Sequence, residues 1–245
     1  MSADALRALH VPGDPLVLPN AWDAGTARLV ERAGFPAVAT TSSGVADALG
    51  YADGEQTPVE EMLAAVARVA RAVDVPVTAD MEAGYGLEDA ELARRLTAAG
   101  AVGLNLEDTD HPHHPALVPA ERHAARIGRI KAAADLVLNA RIDVQLRGGE
   151  LSEALERARQ YRDAGADCVY PIGVTDEASI DAFCALGVPV NVLLRPGAPT
   201  IERLAEVGVA RISLGGSLHA EMMRALHERL SGLAGDRSAA RLSRG

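Results

Sequence analysis

Acidic residues follow two of the apolar segments in this sequence. VPVTADME ends in Asp80 and Glu82, and GLNLED contains Glu107. Carboxylates that share a pocket repel one another, and their pKa values rise on burial unless a cation is present. Oxygen ligands without Cys or a clear His partner suit Mg²⁺, with Mn²⁺ possible, better than Zn²⁺. We therefore predict that these acids surround a divalent metal, bound directly by Asp80 and supported by the others.

Groups that could hold an anion occur at matching places. Arg141, in LVLNARID, offers a guanidinium that can clamp a carboxylate or a phosphonate. The turn Thr41-Ser42-Ser43-Gly44 offers hydroxyl and backbone N–H donors for the same anion. Trp22 closes the first apolar segment, and we include it among the substrate-binding candidates. We predict catalytic roles for Arg141 and Glu107.

A purely structural role could also explain why acidic residues occur at strand ends. They often cap the next helix or pair with a neighbouring arginine. For Asp23, Asp108 and Asp143 we consider this structural role at least as good as a role in the site.

The elements that would position these residues repeat along the whole chain. Short apolar segments alternate with Ala-, Glu- and Arg-rich segments of helical spacing, several of which end in Gly. This alternation predicts parallel strands with right-handed crossovers. Eight units over about 250 residues match a (β/α)8 barrel, in which the site forms at the carboxyl ends of the strands. A doubly wound sheet is the alternative, but no glycine-rich dinucleotide motif follows the first strand. The predicted strands are 16–21, 37–43, 75–82, 103–108, 136–143, 168–173, 188–194 and 210–216.

Composition sets further limits on function. The chain has 245 residues, 48% of them hydrophobic, and a net charge of −10, which disfavours nucleic-acid binding. The sequence has neither a signal peptide pattern nor an apolar run long enough to cross a membrane. Two isolated cysteines suggest reduced thiols and a cytoplasmic location. We predict one barrel domain over residues 1–245, with a flexible tail at 233–245.

These motifs together resemble the isocitrate lyase / phosphoenolpyruvate mutase superfamily, and its short bacterial members in particular. The similarity extends in order from about residue 16 to residue 216, through PNAWDAGTARLVERAG, VPVTADMEAGYG, GAVGLNLED and NARIDV. The resemblance implies a (β/α)8 barrel whose last helix is often exchanged within homodimers or homotetramers. It also implies Mg²⁺ and a small 2-oxo or 2-hydroxy carboxylic acid. The implied metal residues are Asp53, Asp80, Glu82 and Glu107; the implied substrate-binding residues are Ser43, Gly44, Arg141, Asn191 and Ser213.

One loop departs from the superfamily pattern. The segment TDHPHHPALVPAE follows Asp108, where relatives carry a gating loop with a catalytic Cys, Lys or Asn. It contains none of these three residue types, but it has His111, His113 and His114. A histidine can serve as acid or base near neutral pH, and we assign that role to His113. The alternative is a solvated Pro/His turn without a catalytic role.

The predicted reaction is that of a Mg²⁺-dependent lyase or hydrolase, which cleaves a C–C bond next to the oxygen-bearing carbon through an enolate. Cleavage of a C–P bond by a phosphonomutase or phosphonopyruvate hydrolase is one alternative. A barrel that binds Mg²⁺ and an oxo acid without turnover is the other. The predicted partners are a small carboxylic acid and further copies of the chain, without nucleic acid or membrane.

Overall fold

A computed structural model describes residues 1–111 and 116–235 of the chain. Eleven strands occur in these two ranges: β1 Leu16–Leu18, β2 Asn20–Ala21, β3 Val38–Thr40, β4 Val77–Asp80, β5 Gly103–Glu107, β6 Thr109–Asp110, β7 Ala116–Leu117, β8 Val137–Ile142, β9 Cys168–Pro171, β10 Asn191–Leu193 and β11 Arg211–Ser213. The helices are α1 Ala3–Ala8, α2 Ala24–Arg32, α3 Ser42–Leu49, α4 Val59–Ala70, α5 Asp89–Ala99, α6 Ala120–Ala133, α7 Leu151–Asp163, α8 Glu177–Cys184, α9 Ile201–Val207 and α10 Ser217–Gly235, with a 3-10 turn at Gln145–Arg147.

The strands form a ring of parallel pairings. Six of them pair in the order β2, β3, β4, β5, β8, β9, and a second run pairs in the order β1, β11, β10. A parallel bridge between Val169 and Val190 joins the two runs on one side. On the other side, β1 and β2 are successive pieces of one segment, interrupted at Pro19, which has no N–H to donate. The predicted (β/α)8 barrel is confirmed.

The main core lies between the strands and the surrounding helices. The inner faces of α4, α5 and α6 contribute fully buried side chains such as Met62, Leu92 and Ile127. A second cluster lies at the amino-terminal ends of the strands, where Leu6 of α1 packs with Leu16 and Val137. Helix α1 therefore covers the end of the barrel opposite to the strand carboxyl ends.

Two features lie outside the regular barrel. Strands β6 and β7 form an antiparallel pair just after Asp108, on either side of the undescribed residues 112–115. Helix α10 extends to Gly235, so it includes the start of the tail that we predicted from residue 233, and residues 236–245 lie outside the described part. Among the described helices, none is both long and apolar enough to cross a membrane.

Candidate active site

A cavity of about 210 Å³ opens at the carboxyl ends of the strands. Each of the eight units of the ring contributes residues at or just after the end of a strand, because parallel strands bring their carboxyl ends to one rim. Six predicted site residues line this cavity: Ser42, Ser43, Asp53, Asp80, Arg141 and Ser213. The remaining lining residues are Asn20, Thr41, Asn105, Tyr170, Ile172, Leu193, Gly215 and Gly216.

Asp80 ends β4 at the first turn of α3. Its Oδ2 accepts hydrogen bonds from the backbone N–H of Ser42 at 3.0 Å and from the Ser42 hydroxyl at 2.9 Å. Its own N–H donates to Thr40 Oγ1 at 2.9 Å, which fixes the end of the strand. The predicted anion-binding turn is thus the start of a helix, whose free N–H groups favour negative charge.

The donor set around Asp80 fits a magnesium ion. Asp80 and Asp53 line the same cavity, and Asp80 Oδ1 has no protein partner among the described residues. No group of three or more His, Cys, Asp or Glu side chains at metal-binding spacing occurs in the described ranges. Mg²⁺ commonly uses one or two carboxylates and keeps several waters, so a small set of oxygen ligands suits it.

Arg141 pairs with two acids, Glu107 and Asp143. Its Nη1 lies 2.5 Å from Glu107 Oε2, while Nε and Nη2 donate to Asp143 at 2.7 and 3.1 Å. The other oxygen of Glu107 pairs with Nε2 of His111. Burial disfavours the charged arginine, but Glu107, Asp143 and Asp80 outweigh it and raise the pKa of Arg141. The guanidinium therefore stays charged while it lines the cavity.

Glu82 lies in a left-handed turn just beyond β4, at φ +46°. Its Oε1 accepts from the Tyr85 hydroxyl at 2.5 Å and its Oε2 from the Glu55 N–H at 2.8 Å. Burial, together with Asp80, Asp53 and Glu107, raises the pKa of Glu82 to about 7, although the Tyr85 hydrogen bond opposes this. Neither Glu82 nor Glu107 lines the cavity, and both are bound by protein groups.

The other predicted substrate-binding residues lie beside the cavity. Trp22 makes an edge contact with His219, with ring centroids 4.8 Å apart. Gly44 is packed so closely that a Cβ would lie 2.7 Å from Thr41 Cγ2. Asn191 is buried and donates to Ser213 Oγ at 3.0 Å. His113 and His114 lie outside the described residues, whereas the neighbouring His111 contacts Glu107.

Asp23, Asp108 and Asp143 have the structural roles that we considered for them, which are helix capping and pairing with an arginine. Asp23 caps α2 by accepting from the Thr26 N–H. Asp108 Oδ2 accepts from the Tyr161 hydroxyl at 2.7 Å and from Arg157 Nη1 at 3.1 Å. Asp143 is held by Arg141.

Several cavity residues were missing from the predicted site. Asn20, Asn105 and Tyr170 line the cavity, and Arg211 is buried against Asn105. Asn105 carried a signal, because it lies two residues before Glu107 on the same strand and so shares its side. Nothing in the sequence marked Tyr170 as a site residue, because an aromatic residue in a buried strand is usually part of the hydrophobic core.

Comparisons with known proteins agree with this architecture. The phosphoenolpyruvate phosphomutase family model matches residues 6–234. An uncharacterised protein of Mycobacterium tuberculosis strain H37Rv is 35% identical over 84% of this chain and 80% of its own length. The 2-methylisocitrate lyase of Escherichia coli K12 is 31% identical over 76% of this chain and 67% of the enzyme. An oxaloacetate decarboxylase of Rhodopseudomonas palustris strain BisB5 is 34% identical over 74% of this chain and 66% of the enzyme.

Solved structures give the same result. A crystal structure from Burkholderia cenocepacia J2315 is 40% identical, with a TM-score of 0.87 over 94% of this chain and 99% of that one. Fold and site thus define a parallel α/β barrel protein with an acid- and arginine-lined cavity at the strand carboxyl ends. The chain belongs to the phosphoenolpyruvate phosphomutase family, within the PEP mutase/isocitrate lyase superfamily. The resemblance inferred from its motifs is confirmed.

Proposed function

We propose that this protein is a Mg²⁺-dependent lyase that cleaves a C–C bond of a small 2-oxo or 2-hydroxy carboxylic acid. The observation that carries the proposal is the cavity, where Asp80 and Asp53 share a small space with Arg141 and the first turn of α3. Two matching relatives are named as a 2-methylisocitrate lyase and an oxaloacetate decarboxylase. Both names describe C–C chemistry on small carboxylic acids.

The proposed metal residues have different parts. Asp80 and Asp53, which line the same cavity, would hold the ion, and Ser42 fixes the Asp80 carboxylate through its second oxygen. Glu82 and Glu107, which do not line the cavity, would support the metal site from outside it. When bound, a divalent cation supplies stabilisation of developing negative charge on substrate oxygens.

The chain's own groups bind and orient the substrate. Arg141 lines the cavity as a charged donor, and the N–H groups at the start of α3 provide a second place for a carboxylate. Breaking the C–C bond leaves its electron pair on one fragment as an enolate and releases the other fragment as a carbonyl compound or CO₂, and Arg141 stabilises the enolate charge. Glu107 and Asp143 hold the guanidinium in place, so it needs no rearrangement during the reaction.

The proton that the reaction requires comes from the histidine-containing loop in this proposal. We retain His113 as the acid or base, and His111 is a second candidate because it already contacts Glu107 at the rim. Substitution of each histidine by Asn, followed by turnover assays, separates the two candidates. Loss of turnover with retained substrate binding identifies the residue that transfers the proton.

A panel of acids tests the function. Purified protein is incubated with 2-methylisocitrate, oxaloacetate, 2,3-dimethylmalate and phosphonopyruvate, with Mg²⁺ or with a chelator. We expect metal-dependent turnover of a C–C substrate. Turnover of phosphonopyruvate alone would favour C–P cleavage, the reaction class suggested by the family's name. Binding without any turnover would favour a non-catalytic barrel.

We also propose that copies of the chain associate through α10. This helix exposes Met222, Met223, Leu226 and Leu230, each about half accessible at 57%, 48%, 51% and 55%. Such a row of large apolar side chains is costly in water and suits a second copy of the chain. A homodimer or homotetramer in the cytoplasm is therefore the proposed working state.

A further inference from the structure

An arginine lies fully buried inside the barrel beneath the cavity. Arg211 begins β11, and Ser213, two residues later on the same side of the strand, lines the cavity. Among the described residues no carboxylate forms an ion pair with Arg211, and its Nη1 has no hydrogen-bond partner. A buried guanidinium without a directly paired carboxylate is costly, which raises the question of what Arg211 does here.

The first contact of Arg211 fixes the orientation of a cavity amide. Oδ1 of Asn105 accepts from Arg211 Nη2 at 3.1 Å and from Asn139 Nδ2 at 2.8 Å. A guanidinium has donors and no acceptor, so the amide oxygen of Asn105 must face it. The Asn105 amide NH₂ is then left for the cavity that this residue lines.

The second contact of Arg211 is with the hydroxyl group of Ser213, which it also orients. Ser213 Oγ accepts from Asn191 Nδ2 at 3.0 Å and, more weakly, from Arg211 Nε at 3.4 Å. With both acceptor positions used, the hydroxyl hydrogen must donate elsewhere, and Ser213 faces the cavity. Arg211 therefore turns two neutral cavity residues into donors.

We propose that Arg211 is a positioning residue that makes the cavity floor a hydrogen-bond donor surface, which selects a carboxylate or enolate oxygen of the substrate. The inference rests on the proposed function and deepens it. The buried positive charge acts in the same direction, because an anion above Asn105 offsets it. The alternative is that Arg211 only fills space inside the barrel.

A double-mutant cycle separates these two roles. Oxalate, a planar dianion that resembles a small enolate, is titrated calorimetrically with excess Mg²⁺ into wild type, Arg211→Met, Asn105→Leu and the double variant. Loss of a hydrogen bond to a charged group weakens binding about 10- to 100-fold. If Arg211 acts through Asn105, the double variant is about as weak as the worse single variant. Losses that multiply, or unchanged affinity in Arg211→Met, would overturn the proposal.

Two further variants keep the test informative if Arg211→Met does not fold. Arg211→Lys retains a charged donor for Asn105, so we expect oxalate affinity within a few-fold of wild type. Asn105→Asp has the same shape and still accepts from Arg211, but it presents an acceptor to the cavity and should reduce oxalate affinity at least about tenfold. Wild-type affinity in Asn105→Asp would overturn the proposal.

Controls distinguish this inference from the function on which it rests. Arg7→Met removes a cation at the opposite end of the barrel, where Arg7 pairs with Asp167, and should leave oxalate affinity unchanged. If wild type itself does not bind oxalate with Mg²⁺, the proposed function fails and the inference fails with it. If wild type binds and the Asn105 and Arg211 variants bind equally well, only the inference fails.

Discussion

Glu107 and Arg141 lie directly opposite each other on the neighbouring strands β5 and β8, with Glu107 Oε2 and Arg141 Nη1 2.5 Å apart. The strand register therefore sets the pair, and Asp143 holds the same guanidinium from a second direction. This arrangement aims a fixed positive charge at the cavity that Asp80 and Asp53 share.

Arg141→Lys tests the value of that fixed charge. A lysine is a flexible point charge and cannot bridge Glu107 and Asp143 at once. We expect kcat/KM to fall about 10²- to 10³-fold, as for the loss of one group that stabilises developing charge. Arg159→Lys, on the exposed face of α7, is the matched control and should retain wild-type kinetics. Equal kinetics in the two variants would remove Arg141 from the reaction.

Gly44→Ala tests the packing that places Ser42 and Ser43. The added Cβ would lie 2.7 Å from Thr41 Cγ2 and 3.2 Å from Trp22 Cβ, so the first turn of α3 must move. We expect a stability loss of about 1–3 kcal/mol and a higher KM for the substrate. The control is Gly128→Ala within α6, where the nearest atom is 3.9 Å away. There the helix propensity of Ala should add up to about 1 kcal/mol in urea unfolding. An unchanged KM in Gly44→Ala would show that this turn does not position substrate donors.

Two buried histidines should make the free energy of unfolding decrease at acidic pH. Burial lowers the pKa of His123 to about 3 and that of His10 to about 4, from 6.5. Well above pH 6.5 both are neutral in the folded and unfolded states and have no effect on the pH dependence. As the pH falls from 6.5 toward 4, the unfolded state binds protons that the folded state does not bind. Stability then falls by up to about 1.4 kcal/mol per pH unit for each histidine.

Urea unfolding between pH 7.5 and 5 measures this slope. His123→Leu replaces the ring with an apolar side chain that cannot titrate, so the variant should lose less stability over this range than wild type. Parallel pH profiles for the two proteins would show that His123 is accessible to protons in the folded state.

Leu226→Glu tests association through α10. A charge in the apolar row should shift the protein toward a 25.5 kDa monomer in light scattering, whereas wild type should be a multiple of that mass. Residues two apart on an α-helix point about 200° away from each other, so Glu228 projects away from Leu226, and Glu228→Gln should leave the mass unchanged. Monomeric wild type would contradict the proposed interface.

The architecture was predictable because one pattern, in which apolar strand segments alternate with helical segments, repeats along the chain. All eight predicted strand segments contain strands, and the helical segments between them form helices, since the apolar periodicity and the glycine ends agree. The segment 37–43 is the exception in its last part, because Ser42 and Ser43 begin α3, where we predicted strand followed by loop. Helix α1 was not predicted, because a helix of six residues is too short to show a clear apolar periodicity.

The sequence predicted the kind of site better than it predicted the contacts of the individual side chains. Alternation along an unbroken strand would point Asp80 and Glu82 the same way. The strand ends at Asp80, however, and the left-handed turn at Glu82 directs that carboxylate to Tyr85 and Glu55. Strand periodicity cannot predict such a contact, because it depends on a loop 27 residues earlier in the chain. An arginine within a buried strand is unusual, so the sequence could have drawn attention to Arg211. Its hydrogen-bond partners, however, can be seen only in the three-dimensional structure.

The most direct test of the account is the Mg²⁺ dependence of oxalate binding in wild type and in Asp80→Asn. Asparagine keeps an oxygen for the two Ser42 donors, so the variant should stay folded while losing the charge that holds the ion. We predict that wild type binds oxalate only with Mg²⁺ and that Asp80→Asn shows no such binding at any Mg²⁺ concentration tested. Oxalate binding that is equally tight in a chelator, or unaffected in Asp80→Asn, would contradict the account.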